Sequence, residues 1–187
     1  MRLRALLAQP VTDATRRWFS IGAKHTVKNV MEGTLIQLNI SDGGMPKLPI
    51  ASARVSLDGV EGDRQRNRVF HGGRDRALCL FSQEQYEWLR RDHGIELGLG
   101  SVGENLTTSG INLSELSPGD RLRVGQCLIQ ITKVRFPCRN LTKWHPKLHK
   151  LVKGNSGWIA KVIEEGKVCE GDRIEVIKRE APMTKSQ

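Results

Sequence analysis

ALCLFSQEQYEWLRRDHG, residues 77–94, changes its periodicity half-way along. The first six residues, ALCLFS, form an apolar run with the length and composition of a buried strand. From Ser82 onward the pattern is helical. Ser82 and Gln85 have the spacing of a capping box, in which each side chain reaches the other residue's backbone N–H. Gly94 suits the left-handed position that ends a helix, and Tyr86 and Leu89 share one face of it. This is the one convincing helix in the chain.

Outward from it the signals are short strands broken by glycine-rich turns. MEGTLIQLNI (31–40) opens a clear strand pattern, and ASARVSL (51–57) reads as the next strand after the loop SDGGMPKLP. A long loop, DGVEGDRQRNRVFHGGRD (58–75), is rich in Gly, Asp and Arg. Further on, QCLIQITKV (126–134) predicts a strand with Ile129, Ile131 and Val134 buried. Pro137 cannot donate to a sheet ladder, so this strand is expected to end near Phe136. Gly-Asp-Arg recurs at 62–64, 119–121 and 171–173. The last two copies enter the strands RLRV and RIEVI, so their aspartates read as turn formers. One helix among many strands predicts a mainly β fold, a closed or nearly closed barrel with a few short helices.

The chain has 187 residues, enough for one domain with a sizeable core plus tails. Its apolar runs are too short for a spanning helix. Residues 1–30 are Arg-rich and acid-poor, without the uninterrupted apolar stretch of a secretory signal, and resemble an organelle transit peptide only weakly. They are set aside as a basic extension, with the folded unit at 31–177 and a basic tail at 178–187. The net charge is +10, of which the extension carries +5, the tail +2 and the folded unit +3. With most charge in the tails and no RNP-like, zinc-finger or helix-turn-helix pattern, a nucleic-acid partner is not expected.

Cysteines stand at 79, 127, 138 and 169, with no C-x-x-C pair among them. That spacing fits neither a zinc knuckle nor a disulfide framework, and points to a reducing compartment such as the cytoplasm, or an organelle if residues 1–30 are a transit peptide. Cys79 and Cys127 lie inside apolar runs and are expected in the core. Cys138 differs. KVRFPCRNLT (133–142) puts it at a strand end between Arg135 and Arg139, whose charges favour the thiolate that attacks carbon or binds metal. A small buried thiol fits the same residues, so both readings stay open on this stretch alone.

Three further stretches carry candidate chemistry. HGGRD (71–75) offers a histidine and two glycines whose backbone N–H groups can meet an anion. GENL (103–106) offers a carboxylate and an amide suited to the donors and acceptors of a polar heterocycle. GGMPKLP (43–49) places Lys47 in a glycine-containing loop, where a lysine suits phosphate. Taken singly, each reads more readily as an ordinary turn or solvated loop.

Together and in this order, GGMPKLP, GVEGDRQ, HGGRDRALC, GENL and FPCRN resemble the MOSC domain family, named for the C-terminal domain of molybdenum-cofactor sulfurases. The likeness covers about residues 31–177 and is greatest to the small bacterial members related to 6-hydroxylaminopurine reductases. It implies a β-barrel that binds molybdenum cofactor of the molybdopterin type, with Cys138 as the metal ligand. A soft thiolate suits that metal. Lys47, Arg64 and the backbone of His71, Gly72 and Gly73 are then candidates for the cofactor phosphate. Gly103, Glu104 and Asn105 are candidates for the pterin or the substrate. Asp75, Arg135, Arg139 and Asn140 complete the candidate shell. The implied reaction reduces an N-hydroxylated compound, a hydroxylaminopurine-like base or an amidoxime, to its amine, with His71 or Glu104 as proton donor beside Cys138. With no dinucleotide fingerprint and no cysteine set for an iron–sulfur cluster, a separate electron-donor reductase is expected. Some relatives continue into a helical or ferredoxin-like module after the barrel. This sequence stops soon after DRIEVI, so the hydroxylaminopurine substrate transfers less directly. The competing readings are a non-catalytic carrier of cofactor or sulfur, a basic nucleic-acid-binding barrel, and a thiol redox sensor.

Overall fold

The computed structural model describes residues 31–64 and 72–179. Among them are eleven strands: β1 (Glu32–Ile40), β2 (Leu48–Ile50), β3 (Ser52–Ser56), β4 (Gly59–Val60), β5 (Leu78–Ser82), β6 (Leu106–Ser109), β7 (Arg121–Val124), β8 (Cys127–Val134), β9 (Trp158–Glu164), β10 (Gly166–Cys169) and β11 (Arg173–Ile177). Two α-helices join them, α1 (Gln83–His93) and α2 (Leu148–Leu151). None is long and apolar enough to cross a membrane.

Seven strands close on themselves in the order β11, β7, β8, β9, β5, β6, β1 and back to β11. The nine-residue β1 makes the closure possible. Its first residues pair with β11 at Glu32–Thr34, its middle with β6, and its end with β2, all antiparallel. A register shift between Leu35 and Gln37 bends the strand between partners. Only β5 and β6 run parallel, joined through α1. Strands β10, β3 and β4 form a separate three-stranded sheet.

The barrel interior is built from inward residues of every wall strand, including Leu35, Leu80, Leu106, Leu122, Ile129 and Ile174. Burying each such side chain contributes about 1.5–3 kcal/mol. A second apolar cluster lies under α1, where Tyr86 and Leu89 meet Phe81, Ile95, Val102, Leu141, Leu148 and Val152. The α1 capping box forms as expected, with both reciprocal bonds present and Gly94 left-handed at the C-terminal end. Asp120 and Asp172 are the expected turn formers, accepting from the backbone N–H groups of Ser117 and Cys169.

Two expectations need correction. Val134 is 45 % exposed, not buried. A register irregularity between Ile131 and Lys133 breaks the alternation, and β8 ends at Val134, before Phe136. Cys79 is not a plain core residue. Cys127 lines the barrel interior, whereas Cys79 is half-buried and in the field of Arg135, Lys47 and Asp63.

Candidate functional site

The loop after β1, the turn before Arg64, the loop entering β6 and the segment after β8 meet around a buried polar cluster. Asn105 ties three of these walls together. Its N–H donates to the Cys79 carbonyl (2.8 Å), and its Oδ1 accepts from the Cys79 N–H (3.3 Å). Its Nδ2 donates to the Asn39 carbonyl (3.2 Å) and to Asp63 Oδ2 (2.9 Å). Asp63 also accepts from the Ser41 N–H and pairs with the Lys47 ammonium, a nearly buried ion pair. The amide that sequence offered to a heterocycle thus uses both its hydrogens within the protein.

Glu104 is fully buried beside this network. Its Oε1 accepts three donors: the Tyr86 hydroxyl (2.8 Å), the Gly100 N–H (2.7 Å) and the Thr107 hydroxyl (2.9 Å). Its Oε2 has no partner among the described residues. Burial pushes the carboxyl above the usual glutamate range, against those hydrogen bonds, and so favours the protonated form. With every donor on Oε1, Oε2 is the atom left to carry the proton. Burial and the Glu104 carboxyl also push the Tyr86 phenol up, keeping it a donor.

The segment carrying Cys138 is fastened to this wall at both ends. The Arg135 guanidinium donates to the Val102 carbonyl, and Trp144 Nε1 donates to the Ser101 carbonyl (2.9 Å). Lys143 donates to the Met45 carbonyl in the GGMPKLP loop. Gly103 makes the close approach possible. Its φ is +88°, and a Cβ there would stand 2.8 Å from Met45 Cγ. Cys138 itself caps a 3-10 turn, Arg139–Lys143, and its Sγ accepts from the Asn140 N–H at 3.4 Å.

Of the residues singled out in the sequence, Lys47, Gly103, Glu104, Asn105 and Arg135 come together here, and Cys138 lies on the strap that Arg135 and Trp144 tie to this wall. Arg135, expected to act on Cys138, donates from its guanidinium to the Val102 carbonyl. Its charge bears on Cys79, whose thiol is pushed up by burial and pulled down by Arg135 and Lys47. Arg139 and Asn140 are exposed. Arg64 lies on the surface, paired with Asp42 at 3.0 Å. Gly72 is half-buried, and Gly73, with φ +98°, has open space where a side chain would start. Asp75 faces elsewhere. Its carbonyl accepts from Thr132, and it lines an open depression with Gln130, Lys133 and Lys161. His71 lies outside the described residues.

Sequence reasoning missed Asp63, Tyr86 and Thr107. Asp63 sits in the same Gly-Asp-Arg triplet as two turn aspartates, so nothing local marks it. Tyr86 did carry a signal. It is the chain's single tyrosine, on the buried face of a helix, and a buried hydroxyl needs a partner.

The model of the MOSC domain matches residues 67–175. The chain belongs to the MOSC domain family. This MOSC chain is 34 % identical to protein YiiM of Escherichia coli (strain K12) over 152 residues, covering 73 % of this chain and 67 % of YiiM. It is 31 % identical to a protein of Gibberella moniliformis named "Reductase", covering 68 % of this chain but only 24 % of that much longer protein. The crystal structure of YiiM from Geobacillus stearothermophilus superposes with a TM-score of 0.67 at 25 % identity, covering 79 % of this chain and 76 % of that one. The MOSC domain family is associated with molybdenum cofactor.

Proposed function

We propose that this MOSC domain binds molybdenum cofactor, with Cys138 as the protein ligand to the metal, and reduces N-hydroxylated compounds to amines. The observation that carries the reading is the meeting of the GGMPKLP loop with the segments that flank GENL and FPCRN, through the bonds of Lys143 to Met45, Arg135 to Val102 and Trp144 to Ser101. That meeting sets a half-exposed thiol and a buried protonated carboxyl on one frame.

The donor set fits the cofactor. Among the described residues no three His, Cys, Asp or Glu side chains converge, so Cys138 would be a single ligand to a metal that brings its others with the pterin. Glu104 Oε2 offers a buried polar atom without a protein partner. Gly44 and Gly73 leave open space where side chains would stand. For the phosphate, Lys47 would have to exchange Asp63, whereas the exposed Arg139 has no carboxylate partner among the described residues.

The overall change is R–NH–OH + 2 H⁺ + 2 e⁻ → R–NH₂ + H₂O. When bound, the cofactor supplies the two-electron couple, and the protein supplies position and protons. Hydroxide is a poor leaving group, so its departure as water needs an acid, and the Glu104 carboxyl holds a proton at Oε2 for that purpose. Tyr86, Thr107 and the Gly100 N–H fix the other oxygen. The electrons come from a separate redox protein. All four cysteines are unpaired, which fits a reducing compartment such as the cytoplasm.

The test is molybdenum and pterin content of the chain purified from a cofactor-producing host, beside Cys138→Ser, followed by turnover of benzamidoxime with a chemical reductant. Near-stoichiometric metal that collapses in the variant, with amine formed by wild type, is expected. Metal without turnover would leave a carrier of cofactor. Metal unaffected by the substitution would remove the ligand assignment.

A further inference from the structure

The net +3 of residues 31–177 conceals a segregation of charge. From Arg121 to Ile163 the chain holds ten Lys and Arg and no Asp or Glu, while the rest of the folded unit carries −7. The densest part is 133–153, the strap that bears Cys138 and the helix α2 that follows it. Lys133, Arg139, Lys143, Lys147, Lys150 and Lys153 are all exposed there.

These cations differ from many others on the surface. Arg54, Arg64, Arg74, Arg91, Arg123, Arg173 and Lys178 each pair with a carboxylate. None of the six exposed cations of the strap and α2 has such a partner among the described residues. Folding has therefore left their field uncompensated. Large apolar side chains stand among them: Phe136 is 84 % exposed, two residues before Cys138, and Trp144 is 37 % exposed with the Lys143 ammonium 4.4 Å from its ring centre. Unpaired charge around a small apolar centre suits a brief, electrostatically steered encounter.

We propose that this basic lobe, residues 133–153, is the docking surface for the electron donor, a small acidic one-electron carrier protein. The inference rests on the reductase reading, in which each turnover consumes two electrons. Two docking events of one reduced carrier each supply them, and two protons come from solvent. A negative partner would be drawn to the lobe and repelled by the rest of the folded unit, so charge alone would orient it. The apolar Phe136 would then sit at the contact centre, with the lysines as its rim.

The test uses the full chain and a small acidic [2Fe–2S] ferredoxin as the probe. Binding is followed by titration calorimetry, and the footprint by amide chemical-shift changes on the MOSC chain. Expected are shifts confined to 133–153 and an affinity that falls about tenfold or more between about 20 and 200 mM salt. Lys147→Glu, Lys150→Glu and Lys153→Glu combined should weaken binding at least about tenfold, with molybdenum content and benzamidoxime turnover by a chemical reductant unchanged. The matching triple glutamine variant should fall between the two, and guards against misfolding in the charge-reversed one. Shifts elsewhere, no binding, or equal binding by the triple variant would overturn the proposal. So would tighter binding of the lobe to phosphatidylglycerol vesicles or to a single-stranded oligonucleotide than to the ferredoxin. Loss of metal or of chemically driven turnover in wild type, with ferredoxin docking intact, would instead count against the reductase reading.

Discussion

Replacing Glu104 by glutamine should change how the stability of this protein depends on pH. Glu104 is fully buried, with three donors on Oε1 and none on Oε2. Burial raises its folded-state pKa above the ordinary glutamate value. In the unfolded chain the group loses its proton near about pH 4.3. Above that pH the folded state binds more protons than the unfolded one, so stability falls as pH rises. The slope for one such group is about 1.4 kcal/mol per pH unit, from the unfolded value up to the folded one, beyond which it vanishes. The stabilisation is thus complete below the unfolded pKa and lost through the folded pKa. Glutamine has the shape of the protonated acid, and its Oε1 can accept the same three donors, but it does not titrate. Urea unfolding of both proteins at about pH 5, 6 and 7 isolates the effect, because other groups cancel in the difference. As long as the pH stays below the folded-state pKa, the glutamine variant should gain on wild type by about 1.4 kcal/mol per unit, equivalent to roughly 2–4 °C in Tm for each kcal/mol in a chain of this size. The pH at which the gap stops growing reports the folded-state pKa. Parallel stability curves across this range would refute a protonated Glu104, and with it the proton source of the proposed reaction.

Other substitutions probe the same frame. Tyr86→Phe leaves Glu104 Oε1 without one donor and the Val102 N–H without its acceptor. It should cost about 1–3 kcal/mol by urea unfolding. Asp63→Ala strips the buried Lys47 ammonium of its partner and Asn105 of an acceptor, a loss of about 3–5 kcal/mol that would show as a lower Tm. Gly103→Ala imposes a side chain at φ +88° and against Met45. A cost of about 1–3 kcal/mol is expected, together with reduced molybdenum content, since the GGMPKLP and GENL loops would be forced apart.

What the sequence revealed follows the reach of the interactions involved. The α1 capping box is an exchange between residues three apart, and both partners stand in one quoted stretch. The barrel class followed from counting strands against helices, but its closure did not. That depends on β1 dividing its length among β11, β6 and β2, a matter of register that no local pattern encodes. Val134 went astray for a related reason, because an irregularity after Ile131 breaks the two-residue alternation. At the site, proximity in sequence showed only part of the arrangement. Arg135 stands three residues from Cys138, and it also reaches Val102 and acts on Cys79, both distant in sequence. The Asp63–Lys47–Asn105 contact joins residues 16 and 42 positions apart, and only the folded chain puts them side by side.

The double fastening of the Cys138 strap has a mechanical consequence. Its two anchor points, the carbonyls of Ser101 and Val102, lie on the same short run of backbone as Glu104. A displacement of that run carries thiol and acid along as one body. Both ends of the strap therefore follow the backbone that carries the acid, rather than the barrel wall at large. Cutting one anchor, for example by Trp144→Phe, would leave that end held by Lys143 to the GGMPKLP loop and no longer to the run that carries the acid.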